Sequence, residues 1–151
     1  MVDVESTQSV DRLPDRLPGV ADLPDRIARL ATAARALSRE LNTILAEDGL
    51  REDHWRVMHL LTRSHGLLMG EISQSLVLPP ATTTRLVDEL TDSGLVFRRP
   101  QPEDARKLAA YLSRTGQAKY DRTLSLLHAR QEELGGLLGE ADLPRTAPTE
   151  S

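Results

Sequence analysis

Two clusters of residues in this chain carry recognisable chemistry. Thr82, Thr83, Thr84 and Arg85 stand consecutively, directly after Pro79-Pro80-Ala81. Short hydroxyls and a guanidinium at the opening of a helix can donate to phosphate oxygens and reach the edges of bases. The second cluster is Arg98, Arg99, Arg106 and Lys107, which flank the turn Gln101-Pro102-Glu103-Asp104. Cations on a hairpin of this kind can lie along an anionic backbone or enter a minor groove. Residues 94–119 hold six Lys or Arg against Glu103 and Asp104, a local net charge of +4, whereas the whole chain carries −4. A concentrated basic patch governs phosphate contact more than the average charge does.

Other chemistries find little support. The four histidines, His54, His59, His65 and His128, include no pair four residues apart, and there is no cysteine. Paired imidazoles on one helix face and thiolate ligands are therefore missing, and no metal or cofactor is expected. Without cysteine there is also no disulfide, thiol nucleophile or thiol redox switch. No nucleophile, base and acid stand in a catalytic arrangement, and no glycine-rich loop could cradle a phosphate. Asp88-Glu89 and Glu132-Glu133 read as solvated helix faces. An enzyme is thus not expected. Aromatic residues make up 3% of the 151 residues, too few for a stacking platform on single-stranded nucleic acid. There is no secretory apolar segment and no apolar run of about 18 residues, which predicts a cytoplasmic chain with no membrane partner.

The elements that must position the two clusters follow from periodicity. Residues 1–23, with the near-repeat Asp11-Arg12-Leu13-Pro14-Asp15-Arg16-Leu17-Pro18, read as a flexible tail. A first helix is expected from Pro24 to about Asp48. Ile27, Leu30, Ala31, Ala34, Leu37, Leu41, Ile44 and Leu45 form one stripe along it, and Gly49 stops it. So long a stripe needs a partner surface, for which a second subunit is the natural candidate. A second helix spans about Asp53–Ser64. Leu67-Leu68 is too short for more than a single bridge. Two short helices, about Met69–Leu76 and Pro80–Ser93, flank a tight connection. Leu95–Pro100 and Lys107–Leu112 read as the strands of a hairpin. Ser113 can cap a final helix running from Arg114 to about Leu138, with Gly135, Gly136 and Gly139 weakening its end.

Two short helices with a tight turn, followed by a basic hairpin, form a winged helix-turn-helix pattern. The chain here resembles the MarR-type (multiple antibiotic resistance) regulators. The resemblance runs from Ile27 to Leu134 through Met69-Gly70-Glu71-Ile72, Thr84-Arg85-Leu86-Val87-Asp88-Glu89-Leu90 and Gly94-Leu95-Val96-Phe97-Arg98-Arg99. It continues through Pro102-Glu103-Asp104-Ala105-Arg106 and Leu112-Ser113-Arg114-Thr115-Gly116. It implies a mainly α fold with a small β-hairpin wing. Residues 24–138 would form a single domain, with dimerisation helices over 24–48 and 113–138, a winged helix-turn-helix over 53–112, and a tail over 139–151. It also implies a homodimeric repressor on a pseudo-palindromic double-stranded DNA operator, released by a small phenolic or amphipathic effector.

Residue by residue, the resemblance places Thr82, Thr84 and Arg85 at recognition-helix positions. It places Asp104 and Arg106 at a wing pair in which the carboxylate orients the guanidinium. Trp55, Met58 and His59, with Arg35 and Leu37, are candidates to line an effector pocket. Ser73 and Gln74 are further candidates for phosphate contact. Three features depart from the family pattern. Pro79 stands where a capping side chain is expected, Ala81 replaces a hydroxyl residue, and Gly135-Gly136, Pro144 and Pro148 leave little room for a last helix. A ligand-independent architectural DNA binder and a winged-helix protein-interaction module are the alternative readings.

Overall fold

The computed structural model describes residues 23–140, so the expected tail over 1–22 and residues 141–151 lie outside the described residues. The elements are α1 (Leu23–Ala46), α2 (Glu52–Thr62), β1 (Leu67–Leu68), α3 (Met69–Leu76), α4 (Pro80–Asp92), β2 (Val96–Pro100), β3 (Leu108–Leu112), α5 (Arg114–Ala129) and α6 (Gln131–Glu140). The strands form one antiparallel sheet in the order β1-β3-β2. The chain is thus mainly helical with a small winged sheet.

Each helix boundary has a local cause. At the end of α1, Gly49 adopts φ +67°, and the N–H groups of Gly49 and Leu50 return to the carbonyls of Ala46 and Leu45. That left-handed closure satisfies carbonyls the helix leaves open. Asn42 Oδ1 then accepts the Glu52 N–H at 2.8 Å, and the Ser38 hydroxyl donates to the Glu52 carboxylate, so α1 caps the start of α2. Glu71 Oε2 accepts the Leu68 N–H at 2.7 Å, closing the start of α3. Pro80 presets the first turn of α4, and no side chain caps it, as Pro79 foretold. Ser113 has two roles at the start of α5. Its Oγ accepts the Gly116 N–H at 2.9 Å and donates to the Gly94 carbonyl at 2.7 Å.

The core lies between α2, α3, α4, the sheet and the end of α1. Leu45, Val57, Met58, Ile72, Leu86, Val87 and Leu90 are almost fully buried in it. The first turn of α5 comes so close to the start of β2 that a Cβ on Gly116 would lie 2.1 Å from the Leu95 carbonyl oxygen. The first half of α1 is different. Leu23, Ile27 and Leu30 are exposed in the single chain, Ile27 at 59%.

Three expectations need correction. The long final helix breaks at Arg130, and α6 continues to Glu140, so the boundary of the expected tail at 139 falls inside a helix. A last helix is therefore present despite Gly135 and Gly136, and it packs on α1. Tertiary contact overrides the roughly 1 kcal/mol that each glycine costs in a helix. Finally, Leu67 and Leu68 pair in register with Ala110 and Ala109, which makes a third strand rather than a lone bridge.

Candidate nucleic-acid interface

The sequence-predicted residues separate into exposed donors and structural ones. Arg85 is 68% exposed at the side chain, and its nearest charge is Glu89, 4.0 Å away on the next turn. Thr84 is exposed, with its hydroxyl returned to the Pro80 carbonyl at 3.0 Å, and Thr82 is half-buried. Thr83 is corrected to a core residue. It is 1% exposed, and its hydroxyl donates to the Pro79 carbonyl at 3.2 Å. The reason is helical geometry, since Thr83, Leu86, Val87 and Leu90 share the inner face of α4. Ser73 is likewise internal, donating to the Leu78 carbonyl at 2.6 Å, whereas Gln74 is exposed.

The hairpin divides in the same way. Arg106 and Lys107 are exposed at its turn and make no ion pair among the described residues. Asp104 acts differently from expectation. Its Oδ1 accepts the backbone N–H of Arg106 at 3.1 Å and its carbonyl accepts the Lys107 N–H, so it shapes the turn rather than holding a guanidinium. A two-residue spacing suits this backbone contact, the local turn that aspartate side chains favour. Arg99 is exposed, with its guanidinium 4.9 Å from the centre of the Phe97 ring, which stacks on Tyr111. Arg98 points back into the protein and donates to Asp88 of α4 at 2.5 Å.

The acidic pair on α4 is not the solvated face expected of it. Asp88 receives Arg98. Glu89 Oε2 accepts from Arg51 Nη2 at 2.9 Å and lies 2.6 Å from His54 Nε2. His54 is only 5% exposed, and its Nδ1 accepts the Arg51 N–H at 3.2 Å. The hydrogen bond from His54 is the main cause that holds the Glu89 carboxyl below its ordinary range. No sequence signal marks these contacts, because His54 and Glu89 are 35 residues apart.

Among the described residues, the expected effector residues have separate surroundings. Met58 is fully buried in the core. Trp55, His59 and Tyr120 stack together, with ring centroids 5.2–6.0 Å apart, and the Tyr120 hydroxyl is 2.6 Å from His59 Nδ1. Burial, aided by Arg63, lowers the His59 pKa, and burial raises that of Tyr120. Both shifts favour a neutral pair in which the phenol donates to the imidazole. Leu37 is half-buried on α1. Arg35 lines an open cleft with Thr32, Ser38, Arg39 and Glu52. Among the described residues, no group of three or more His, Asp or Glu could hold a metal ion.

Two short helices joined by a tight turn, a three-stranded sheet and a basic wing define a winged helix-turn-helix protein. Among known proteins, residues 48–107 match the MarR family model. The chain has a winged helix-turn-helix fold and is similar over this segment to the MarR family. It is 31% identical over 94 residues to the HTH-type transcriptional repressor YetL of Bacillus subtilis, covering 58% of this chain and 56% of that one. It is 27% identical to the homoprotocatechuate degradative operon repressor of Escherichia coli, over 62% of this chain and 63% of that one. The chain thus spans less than two thirds of the length of either repressor. Among solved structures it resembles Sco5413, a MarR family transcriptional regulator from Streptomyces coelicolor, with a TM-score of 0.67 and 27% identity. The match covers 77% of this chain and 81% of that one.

Proposed function

We propose that this protein is a sequence-specific double-stranded DNA-binding transcriptional regulator, acting as a homodimeric repressor. The observation that carries the reading is Arg85, exposed at the opening of α4 within the segment that matches the MarR family. Thr82 and Thr84 precede it on the helix, and Arg106 and Lys107 on the wing supply exposed cations. In this reading α4 enters the major groove and the wing follows the adjacent backbone. YetL and the homoprotocatechuate operon protein are both named as repressors, which favours repression.

The dimer is supported by the exposed stripe of Leu23, Ile27 and Leu30 on α1, which no other described element covers. A second copy would bury it and place two α4 helices on two half-sites of a pseudo-palindrome. Release by a small phenolic or amphipathic effector belongs to the same proposal. The cleft beside Arg35 is its candidate seat.

Fluorescence anisotropy against duplex from the gene's own upstream region, at two salt concentrations, tests the reading. Tight binding that weakens steeply with salt is expected, and Arg85→Ala should cost about tenfold in affinity. Binding indifferent to both salt and Arg85, by a protein shown to be dimeric in solution, would overturn it.

A further inference from the structure

We infer that Glu89 is a positioning residue that fixes the rotation of α4 and so aims Thr82 and Arg85; this rests on the DNA-binding reading above. Residues 82, 85 and 89 are separated by three and four positions, so they form one stripe along α4. Within that stripe Thr82 is half-buried, Arg85 is exposed and Glu89 is anchored. Glu89 Oε2 meets His54 Nε2 at 2.6 Å and Arg51 Nη2 at 2.9 Å, both at the start of α2.

The anchor has a defined direction. His54 Nδ1 accepts the backbone N–H of Arg51, so it carries no proton in this arrangement. The ring proton therefore sits on Nε2 and is donated to Glu89. The imidazole is in turn confined by burial, with only 5% of His54 exposed. A backbone N–H on α2 thus sets a ring, the ring sets a carboxylate, and the carboxylate sets the stripe that ends in Arg85.

The aliphatic face of α4 cannot supply this precision. Leu86, Val87 and Leu90 hold the helix against the core, but apolar contact has no direction. With a helix radius of about 5–6 Å including side chains, a 20° rotation moves a side-chain tip by about 2 Å. That displacement exceeds the few tenths of an ångström over which a hydrogen bond to a base edge keeps its strength.

The test compares wild type, Glu89→Ala and Glu89→Gln on a cognate and a scrambled duplex, with melting temperatures measured beside them. Glu89→Ala is expected to reduce the ratio of cognate to scrambled affinity about tenfold while scrambled binding holds or tightens, since one anionic group leaves the DNA-facing helix. Glu89→Gln still accepts from Nε2–H and should restore the ratio to within about threefold of wild type. A fall of both affinities in step with melting temperature means a structural role only and overturns the inference. Equal loss in the Gln and Ala variants assigns the effect to charge and also overturns it. A wild type that does not discriminate between the duplexes defeats the DNA-binding reading instead. The contact is then judged without DNA, by nitrogen NMR of His54. A ring protonated on Nε2, perturbed by Glu89→Ala, upholds the anchor, and a ring protonated on Nδ1 alone overturns it.

Discussion

Arg98 on β2 and Asp88 on α4 are joined at 2.5 Å, and this pair ties the wing to the helix-turn-helix. Arg98 Nε is buried with no acceptor, so the guanidinium depends on Asp88 for its partner. Arg98 and Arg106 should therefore behave differently. Arg98→Ala is expected to lower stability by about 1 kcal/mol, the modest value of a partly exposed pair, and to leave the salt dependence of DNA binding unchanged. Arg106→Ala should leave stability alone and reduce the salt slope by about one. Equal salt slopes for the two variants would refute the division.

Thr83 and Thr84 make a second contrast. Thr83→Val keeps the shape of a buried side chain and removes one hydroxyl whose acceptor, the Pro79 carbonyl, still receives the Thr83 N–H. Its cost should be about 1 kcal/mol in chemical denaturation, with DNA affinity preserved. Thr84→Val, on the exposed side, should weaken DNA binding with little change in stability.

Gly116 is required by space. Gly116→Ala places a methyl against the Leu95 carbonyl and the Leu112 side chain; Leu112 Cδ1 can rotate away, but the Leu95 carbonyl is backbone and cannot withdraw without moving the start of β2. A loss of about 3 kcal/mol is expected, read as a lower melting temperature. A variant that melts with wild type would mean that α5 enters at another angle.

Val77 is required by neither space nor packing. It joins α3 to α4 at φ 54°, a left-handed conformation that disfavours a β-branched residue, and it is 88% exposed. Val77→Gly should therefore stabilise the chain by about 1 kcal/mol in urea unfolding. The strain sits in the turn of the helix-turn-helix, so the same variant should be measured for DNA affinity.

Burial of His59, aided by the nearby Arg63 charge, sets a pH dependence. The folded pKa of His59 lies below its ordinary 6.5, so the unfolded chain takes up the proton first. The stabilisation is full above pH 6.5 and declines as pH falls from 6.5 toward the folded pKa. Glu89 acts in a lower window, since its carboxyl lies below 4.5 and its contribution is lost as pH falls through its own folded pKa. Melting temperature should thus fall between pH 7.5 and 5.5 in wild type and fall less in His59→Gln.

The sequence by itself determined most of the elements and the fold class. Local signals wrote the helix starts at Pro80 and Ser113, the stop at Gly49 and the hairpin about Pro102, because each depends on residues within a few positions. The ordered motifs from Met69 to Gly116 carried the resemblance to the MarR family, and Arg85 and Arg106 are exposed.

The tertiary structure decided which charges are spent inside the protein. Asp88 and Glu89 look like a solvated pair in the sequence, and Arg98 looks like a free cation. Contacts across 10 and 35 residues turn them into struts. It also decided that α6 exists, since packing on α1 outweighs the glycines, and that Thr83 faces inward while its neighbours do not. Periodicity says that a helix has a buried face. Which side chains occupy that face, and what they meet there, depends on how distant segments are brought together.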